Sequence, residues 1–400
     1  MMKMSNLQKL PLGLSSFAKI RQEGCLYVDK TEYAYNLITK GYRYFLARPR
    51  RFGKSLFVST LQEILSGEKD LFNNLWIADS DYTWKPHGVI ALDFSRLGIK
   101  DVDTLINGLL YALSRIARDY ELTDPIHPTS PELALSDVVI ALHRRFGKVA
   151  ILIDEYDNPI LNLLHEQENA KKIRDSLKYF FAAIKGLDEY VNFVFITGVS
   201  SFTRAGLFSG INNLQIITLN DNFSSICGYT DAEIDYYFSS YIQAWADNNK
   251  SSYEELRTQI KNWYNGYHFG VNIIPVYNPF SFMHAINIQN FKNFWVQSGT
   301  PSFLIEEFKK EYTQQGIAML SPEKIKTTEN ILQAFDVGAI PLPALMFQTG
   351  YLTITGYDSN NHLYSLGYPN HELKEAFIGL NFKRTPKKFD IEFTSKEINP

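Results

Sequence analysis

The stretch of sequence that decides the fold is FLARPRRFGKSLF, residues 45–57. It starts within an apolar run, residues 42–47, which predicts a β-strand. It leads into residues 56–65, whose apolar positions have helical spacing. Lys54 and Ser55 therefore fall on the first turn of a helix that follows a strand. This arrangement is typical of a phosphate-binding loop (P-loop), in which backbone N–H groups and the helix dipole bind a polyanion.

The loop departs from the usual P-loop pattern at its beginning. Five positions before Gly53, where that pattern has its first glycine, the chain has Arg48. In a working site Lys54 would contact the β- and γ-phosphates of a nucleotide, and the Ser55 hydroxyl would bind Mg²⁺. The alternative is a basic loop that contains GKS by chance at a helix start. We predict a nucleotide site and assign to it Arg48, Pro49, Arg50, Arg51, Phe52, Gly53, Lys54, Ser55 and Leu56.

Two acids follow a second apolar run, residues 149–153. If that run is a strand of a parallel sheet, Asp154 and Glu155 lie beside the phosphate loop, at the edge where ligands bind in open α/β sheets. Asp154 would hold Mg²⁺ through water, and Glu155 would polarise the attacking water. Such a run is often only a strand that ends in solvated acids, but its combination with GKS, in this order, favours a nucleotide site.

The next predicted strand, residues 191–197, ends in further polar side chains. Thr197 and Ser200 could contact the γ-phosphate or orient the water, although Ser and Thr are also ordinary turn residues at a strand end. Arg204 follows, and its guanidinium could reach the γ-phosphate of its own site or of a neighbouring chain. A solvated surface arginine is equally compatible with the sequence.

Apolar runs and helical stripes alternate through the first half of the chain. Continuously apolar strands separated by helices predict a parallel sheet with helices on both faces. An extra strand between the two motif strands, with Glu directly after Asp, favours the additional-strand class of P-loop NTPases, AAA- or STAND-like, over nucleotide kinases. The predicted strands are residues 42–47, 89–94, 149–153, 191–197 and 214–219.

The second half is richer in aromatic residues and changes its pattern. A capping box at residues 230–233 predicts a helix, residues 253–263 predict another, and a hairpin follows at residues 352–366. Helices followed by one hairpin are compatible with a winged-helix-like module. The predicted division is a P-loop domain (1–222), a helical lid segment (223–270), a winged-helix-like domain (271–380) and a divergent, poorly ordered tail (381–400).

The bulk properties of the chain narrow its class. Four hundred residues predict more than one domain, and a net charge of −3 gives no overall attraction for nucleic acid. Two cysteines fit a reducing compartment rather than a disulfide scaffold. The N-terminal segment has no secretory pattern, and no window has the about 18–20 apolar residues that a membrane span needs. The sequence therefore predicts a cytoplasmic protein without a membrane contact.

Several longer motifs together resemble one family, the AAA-ATPase-like family of bacterial P-loop proteins. The resemblance extends from about residue 8 to residue 380. In that family RPRRFGKS stands where other P-loops have their first glycine, and this resemblance explains the presence of Arg48 at that position. Beside the resemblance, Arg51 is the arginine that we expect to face the phosphates. The motifs are VDKTEYAYNLI (28–38), ARPRRFGKSLF (47–57), ILIDEYDNPI (151–160), ITGVSSFTRAGLFSGINNLQIITL (196–219), WYNGYHF (263–269), VYNPFSF (276–282), WVQSGTPSFL (295–304) and FQTGYLTITGYD (347–358).

The resemblance implies ATP and Mg²⁺ as cofactors and ATP hydrolysis as the activity. Relatives commonly continue into a nuclease-like domain of the PD-(D/E)XK type; residues 381–400 do not resemble it, so we expect no nuclease activity in this chain. Tyr27 or Tyr33, before the loop, could stack on the base, although a role in the core is the simpler interpretation.

Three functional hypotheses follow. The first is an ATPase, the second a STAND-like interaction protein that is gated by nucleotide and hydrolyses it slowly, and the third a degenerate scaffold. The expected partner is an unidentified protein or DNA, and the chain could also form a homo-oligomer.

Overall fold

The computed structural model describes residues 7–41, 43–201, 206–208, 210–211, 213–271, 274–297, 325–333 and 341–378. Its first half contains the strands β1 (Arg43–Ala47), β2 (Gly88–Asp93), β3 (Val149–Asp154), β4 (Val191–Gly198) and β5 (Gln215–Ile216). They form one parallel sheet in the order β2-β3-β4-β1-β5. The predicted α/β architecture with a parallel sheet is confirmed.

The order of the strands places the two motifs near each other. β4 lies between β1 and β3 and pairs with both, with Ala47 opposite Gly198 and Ile153 opposite Ile196. β2, which lies between the motif strands along the chain, is on the outer side of β3, with Asp93 opposite Asp154. The carboxyl ends of these parallel strands therefore meet at one edge of the sheet, the usual place for a ligand.

The sheet is covered on both faces, because every residue of β1 and β3 is buried. Apolar side chains of the surrounding helices complete the core. The helices of this half are α1 (Phe17–Gln22), α2 (Thr31–Lys40), α3 (Lys54–Ser66), α4 (Val102–Asp119), α5 (Pro131–Phe146), α6 (Asn158–Leu161) and α7 (Gln167–Lys185).

Local sequence explains where the long helices begin and end. α4 begins at a capping box in which Asp101 and Thr104 exchange hydrogen bonds. α5 begins with Pro131 after the N-cap Ser130, whose side chain accepts a hydrogen bond from a first-turn amide. It ends at Gly147, whose φ of 71° is the left-handed conformation that glycine adopts at helix ends.

The last strand of the sheet is shorter than predicted. The sequence predicts residues 214–219, whereas β5 has two residues, Gln215 and Ile216. After a further backbone bond from Ile217 N to Phe45 O, the Ala47 N–H donates to the side chain of Thr218 instead of a backbone carbonyl. A side-chain acceptor thus replaces the strand ladder at this point, which is why the strand ends.

The second half contains helices before a small sheet, as predicted. That sheet is antiparallel in the strand order 326–327, 363–367, 353–358, and its longer pair is the predicted hairpin. The elements are α8 (Asp231–Asn249), α9 (Tyr253–Tyr264), α10 (Pro279–Ile288), α11 (Phe294–Gln297), β6 (Lys326–Thr327), α12 (Glu329–Gln333), α13 (Leu342–Thr349), β7 (Thr353–Asp358), β8 (Leu363–Gly367) and α14 (His371–Ile378).

Helices α8, α9 and α10 share an apolar core with the N-terminal segment, which contributes Leu10, Leu26 and Val28. α8 begins at the predicted capping box, formed by Thr230 and Glu233. In contrast, α13 and the hairpin belong to the same core as the parallel sheet. The predicted domain boundaries and the winged-helix-like character of residues 271–380 stay predictions, and residues 381–400 lie outside the described residues. Among the described helices, none is long and apolar enough to span a bilayer.

Candidate functional site

The phosphate loop, residues 48–55, connects β1 to α3 through two residues with positive φ. Gly53 has a φ of 97° and directly precedes α3, and Arg51 has a φ of 69°. A methyl group at Gly53 would meet nothing within 4 Å, so glycine is favoured there for its backbone conformation rather than for space. The two left-handed residues turn the chain so that Lys54 begins the helix.

A cavity of about 570 Å³ lies over this turn. Its size is in the range of small-molecule sites, roughly 300–1,000 Å³. We call it the loop cavity. The phosphate loop forms one wall, and the N-terminal segment and the start of the second half form others. Seven of the nine residues predicted to bind nucleotide line it: Arg50, Arg51, Phe52, Gly53, Lys54, Ser55 and Leu56.

The ammonium group of Lys54 is buried between two oxygens. Its Nζ donates to the Pro49 carbonyl at 3.2 Å and lies 3.6 Å from Glu155 Oε1. The Lys54 side chain is only 3% exposed, and a buried charge needs such partners. The two predicted clusters, the GKS helix start and the paired acids, therefore meet in space.

Ser55 and Asp154 bring two side-chain oxygens close to the lysine. Asp154 is buried and accepts a hydrogen bond from the Glu155 N–H at 3.0 Å. Burial raises the pKa of Asp154 to about 6, and the charge of Glu155 adds to that increase. Hydroxyl and carboxylate oxygens are ligands that Mg²⁺ prefers, usually one or two from the protein with water and phosphate oxygens completing the shell.

Glu155 lines the loop cavity with a strained backbone. Its φ of 51° lies in the left-handed region, which is unfavourable for a residue with a β-carbon. Its carboxylate is about one-fifth exposed, in contrast to the buried carboxylate of Asp154. Strained residues of this kind cluster at functional sites. The two acids thus differ in environment, with Asp154 next to a hydroxyl and Glu155 next to the cavity.

Arg48 does not line the loop cavity, and its predicted contact with nucleotide stays a prediction. Its guanidinium is buried and donates to the carbonyls of Ala47 at 3.0 Å, Thr218 at 2.7 Å and Phe223 at 2.9 Å. It also lies 4.2 Å from the ring centroid of Phe269, and burial lowers its pKa to about 10. Arg48 therefore connects the end of β1 to the segment after β5.

Pro49 supports the phosphate loop through contacts outside the loop cavity. Its carbonyl holds Lys54, as described above, and its side chain packs against Gly350: a methyl group at Gly350 would lie 2.8 Å from Pro49 Cβ. Pro49 itself does not line the loop cavity. In this structure Pro49 supports the loop, and its predicted contact with nucleotide stays a prediction.

Thr197 and Ser200 also have structural partners, and their predicted contact with the γ-phosphate stays a prediction. Thr197 is buried, and its hydroxyl donates to the Leu46 carbonyl at 2.8 Å, which connects β4 to β1. The Ser200 hydroxyl donates to Asp157. Neither residue lines the loop cavity. Arg204 lies outside the described residues. Tyr27 does line the cavity, whereas the Tyr33 hydroxyl pairs with Ser225 at 2.7 Å.

Asp157 is an important residue to which the sequence assigned no role. Its buried carboxylate accepts hydrogen bonds from the Val199 N–H at 3.1 Å, from the Ser200 N–H at 2.6 Å and from the Ser200 hydroxyl. Burial raises its pKa to about 6, with a contribution from the charge of Glu155. A β-carbon at Gly198 would collide with this carboxylate. Asp157 therefore fixes the turn after β4 against the loop that carries Glu155.

We predict that Asp157→Ala lowers the free energy of unfolding by about 3 kcal/mol, because it leaves two buried N–H groups without an acceptor. Urea unfolding of both proteins measures the difference. Asp175→Ala is the matched control, since Asp175 is exposed on α7 and its ion pair within the described part of the chain is with the neighbouring Arg174; it should change the free energy by less than about 0.5 kcal/mol. Equal effects of the two substitutions would contradict the role of Asp157.

The parallel sheet, the GKS helix start and the adjacent acids define a P-loop-like α/β protein. Comparison with known proteins agrees with this class. A family model described as "Predicted AAA-ATPase" matches residues 11–208, which include the phosphate loop and both acids. The chain is also 37% identical over 374 residues to the "Uncharacterized protein in vnfD 5'region" of Azotobacter chroococcum mcd 1, covering 92% of this chain and 69% of that protein. No solved structure matches. The chain belongs to the AAA-ATPase-like family.

Proposed function

We propose that this chain binds Mg·ATP in the loop cavity and hydrolyses the bond between the β- and γ-phosphates. The observation that carries the proposal is the 3.6 Å separation of Lys54 Nζ and Glu155 Oε1, with Ser55 next to the lysine and the buried Asp154 next to the glutamate. A cation and a hydroxyl at the start of α3 converge with two acids at the end of β3. This is the set of groups that in-line attack of water on a phosphate requires.

Lys54 would bind the β- and γ-phosphates. It is already desolvated, and phosphate oxygens could replace the Pro49 carbonyl and Glu155 as its partners. The N–H groups at the start of α3 would bind the same phosphates. Arg50 and Arg51 add positive charge to this wall of the cavity; Arg51 is exposed, and its guanidinium lies 5.0 Å from the ring centroid of Phe280. Arg51 is therefore the proposed phosphate-facing arginine.

Ser55 and Asp154 would hold Mg²⁺, which neutralises charge on the phosphates. Glu155 would orient the attacking water and accept its proton. Because Lys54 and Glu155 are partners in this structure, phosphates that engage Lys54 would free the Glu155 carboxylate for that task. Phosphate binding by Lys54 and activation of water by Glu155 would thereby be linked through the ion pair between these two residues.

The sheet order supports the finer assignment to the additional-strand class. In this class a strand separates the P-loop strand from the strand that carries the acids, and β4 has that position here. The shared core of α13 and the sheet supports a C-terminal module that is packed against the nucleotide domain.

Removal of Mg²⁺ tests the proposal. The purified full chain with ATP and Mg²⁺ should release phosphate, and an excess of EDTA should reduce that release to the level of the buffer, because Ser55 and Asp154 have no metal to hold. Addition of Mg²⁺ beyond the EDTA should restore it. Phosphate release that persists in EDTA would contradict the assigned metal ligands.

A second candidate is the STAND-like interaction protein, which binds ATP tightly and hydrolyses it slowly. The observation that favours it is contact between the second half and the turn after β4: the Ser201 N–H donates to Gln348 Oε1 of α13 at 3.0 Å. Nucleotide binding could thus alter the position of the second half relative to the parallel sheet. Its partner would be a protein, DNA or another copy of the chain, in the cytoplasm. Tight ATP binding with no multiple turnover would favour this candidate over the ATPase.

A further inference from the structure

The indole of Trp295, in the second half of the chain, contacts the phosphate loop. Trp295 lies on α11, is buried, and lines the loop cavity. Its Nε1–H donates to the carbonyl of Arg50 at 3.1 Å. The two residues are 245 positions apart. The acceptor is a backbone group, so the bond acts on the shape of the loop rather than on any one side chain.

The carbonyl that Trp295 holds belongs to the peptide between Arg50 and Arg51. Its direction fixes ψ of Arg50 and φ of Arg51, and that φ, 69°, is left-handed. A residue with a β-carbon keeps such a conformation only when its surroundings enforce it. The usual P-loop has a glycine at its beginning, whereas this loop begins with Arg48. A hydrogen bond from outside the loop supplies the constraint.

Trp295 is itself held firmly by other parts of the second half. Its backbone N–H donates to Glu372 Oε1 of α14 at 2.9 Å, and the same oxygen accepts from the Ser281 hydroxyl at 3.0 Å. The ring packs edge-on against Tyr351, with 5.0 Å between centroids. A methyl group at Gly350 would touch both Pro49 and the Trp295 ring, at 2.8 and 3.3 Å. Trp295, Gly350 and Pro49 are therefore closely packed against one another.

We propose that Trp295 is a positioning residue of the nucleotide site: its indole N–H holds the Arg50–Arg51 peptide in the conformation that accepts phosphates. The affinity for ATP then depends on residues outside the parallel-sheet half. This inference rests on the proposed function, since it concerns the same cavity.

Trp295→Phe tests the proposal, because phenylalanine keeps an aromatic ring but has no N–H. Loss of one hydrogen bond of this kind predicts about five- to tenfold weaker ATP binding by isothermal titration calorimetry. Trp245→Phe is the matched control. Trp245 is fully buried in α8, and its indole N–H has no hydrogen-bond partner among the described residues. The control should bind ATP as the parent does.

A spectroscopic readout separates positioning from a general loss of structure. Trp295 lines the cavity, so ATP should change the tryptophan emission of the parent and of Trp245→Phe, but not that of Trp295→Phe. Unchanged ATP affinity in a folded Trp295→Phe protein overturns the proposal while leaving the proposed function intact. If the parent does not bind ATP, both proposals fail together.

A pair of glycine variants decides the matter if Trp295→Phe does not fold. Gly350→Ala adds a methyl group that meets Pro49 and Trp295 at a φ of 89°. Gly147→Ala adds one at a φ of 71° where nothing lies within 4 Å, so it reproduces the backbone strain without the contact. Weaker ATP binding by Gly350→Ala than by Gly147→Ala supports the proposal, and equal binding by the two overturns it.

Discussion

Lys54→Ala should weaken ATP binding by about 100-fold, which corresponds to about 2.7 kcal/mol. The ammonium of Lys54 is buried in the wall of the loop cavity, and an alanine side chain has no charge to replace it. The substitution also leaves Glu155 without its partner at 3.6 Å, so a carboxylate would repel the incoming phosphates. Calorimetry with ATP and Mg²⁺ measures the loss.

Lys171→Ala is the matched control for this substitution. Lys171 is on α7 and forms only a partly exposed pair with Glu168, so the same change there should leave ATP affinity unaltered. If Lys54→Ala binds ATP as tightly as the parent, the cavity is not the nucleotide site, and the proposed function is wrong.

Glu155→Gln should bind ATP but lose turnover by about 100- to 1,000-fold. General-base catalysis contributes about 10²- to 10⁴-fold in enzymes, and an amide cannot accept the proton of the attacking water. Glutamine has the same size as glutamate and keeps an oxygen that can face Lys54, so the nucleotide should still fit. Phosphate release gives the rate, and calorimetry gives the affinity.

Glu168→Gln serves as the control for this second substitution, because Glu168 is largely exposed at the start of α7. It should change neither quantity. Phosphate release by Glu155→Gln at the parental rate would remove Glu155 from the chemical step. Loss of binding together with turnover would instead assign the residue to the architecture of the loop.

The sequence was most informative where the signal is local. The strand before the loop, the helix that begins at Lys54 and the acids at the end of β3 all depend on patterns within about ten residues, and the structure has each of them. It did not indicate the partners of Arg48, Thr197 and Ser200 in the structure. Their positions in the motifs suggest a contact with phosphate, but motif position does not say to which side a polar group points, and buried carbonyls and Asp157 bind these three side chains.

Trp295 illustrates a different limit. Its partner is a backbone carbonyl 245 residues away, and no periodicity or spacing reports such a contact. The resemblance in residues 295–304 marked the segment without indicating a role. Asp157 illustrates the same limit, because its carboxylate accepts hydrogen bonds from the backbone N–H groups of Val199 and Ser200, directly after β4. Long-range contacts to main-chain atoms leave no compositional trace.

The packing of Pro49 against Gly350 has a consequence for how the chain matures. Synthesis proceeds from the N-terminus, and early segments generally fold as they emerge from the ribosome. Here the proposed phosphate-binding loop lies among the first sixty residues, yet Gly350, which packs against it, is translated about three hundred residues later. A nascent polypeptide would therefore have this loop without its support until the segment that contains Gly350 has been synthesised.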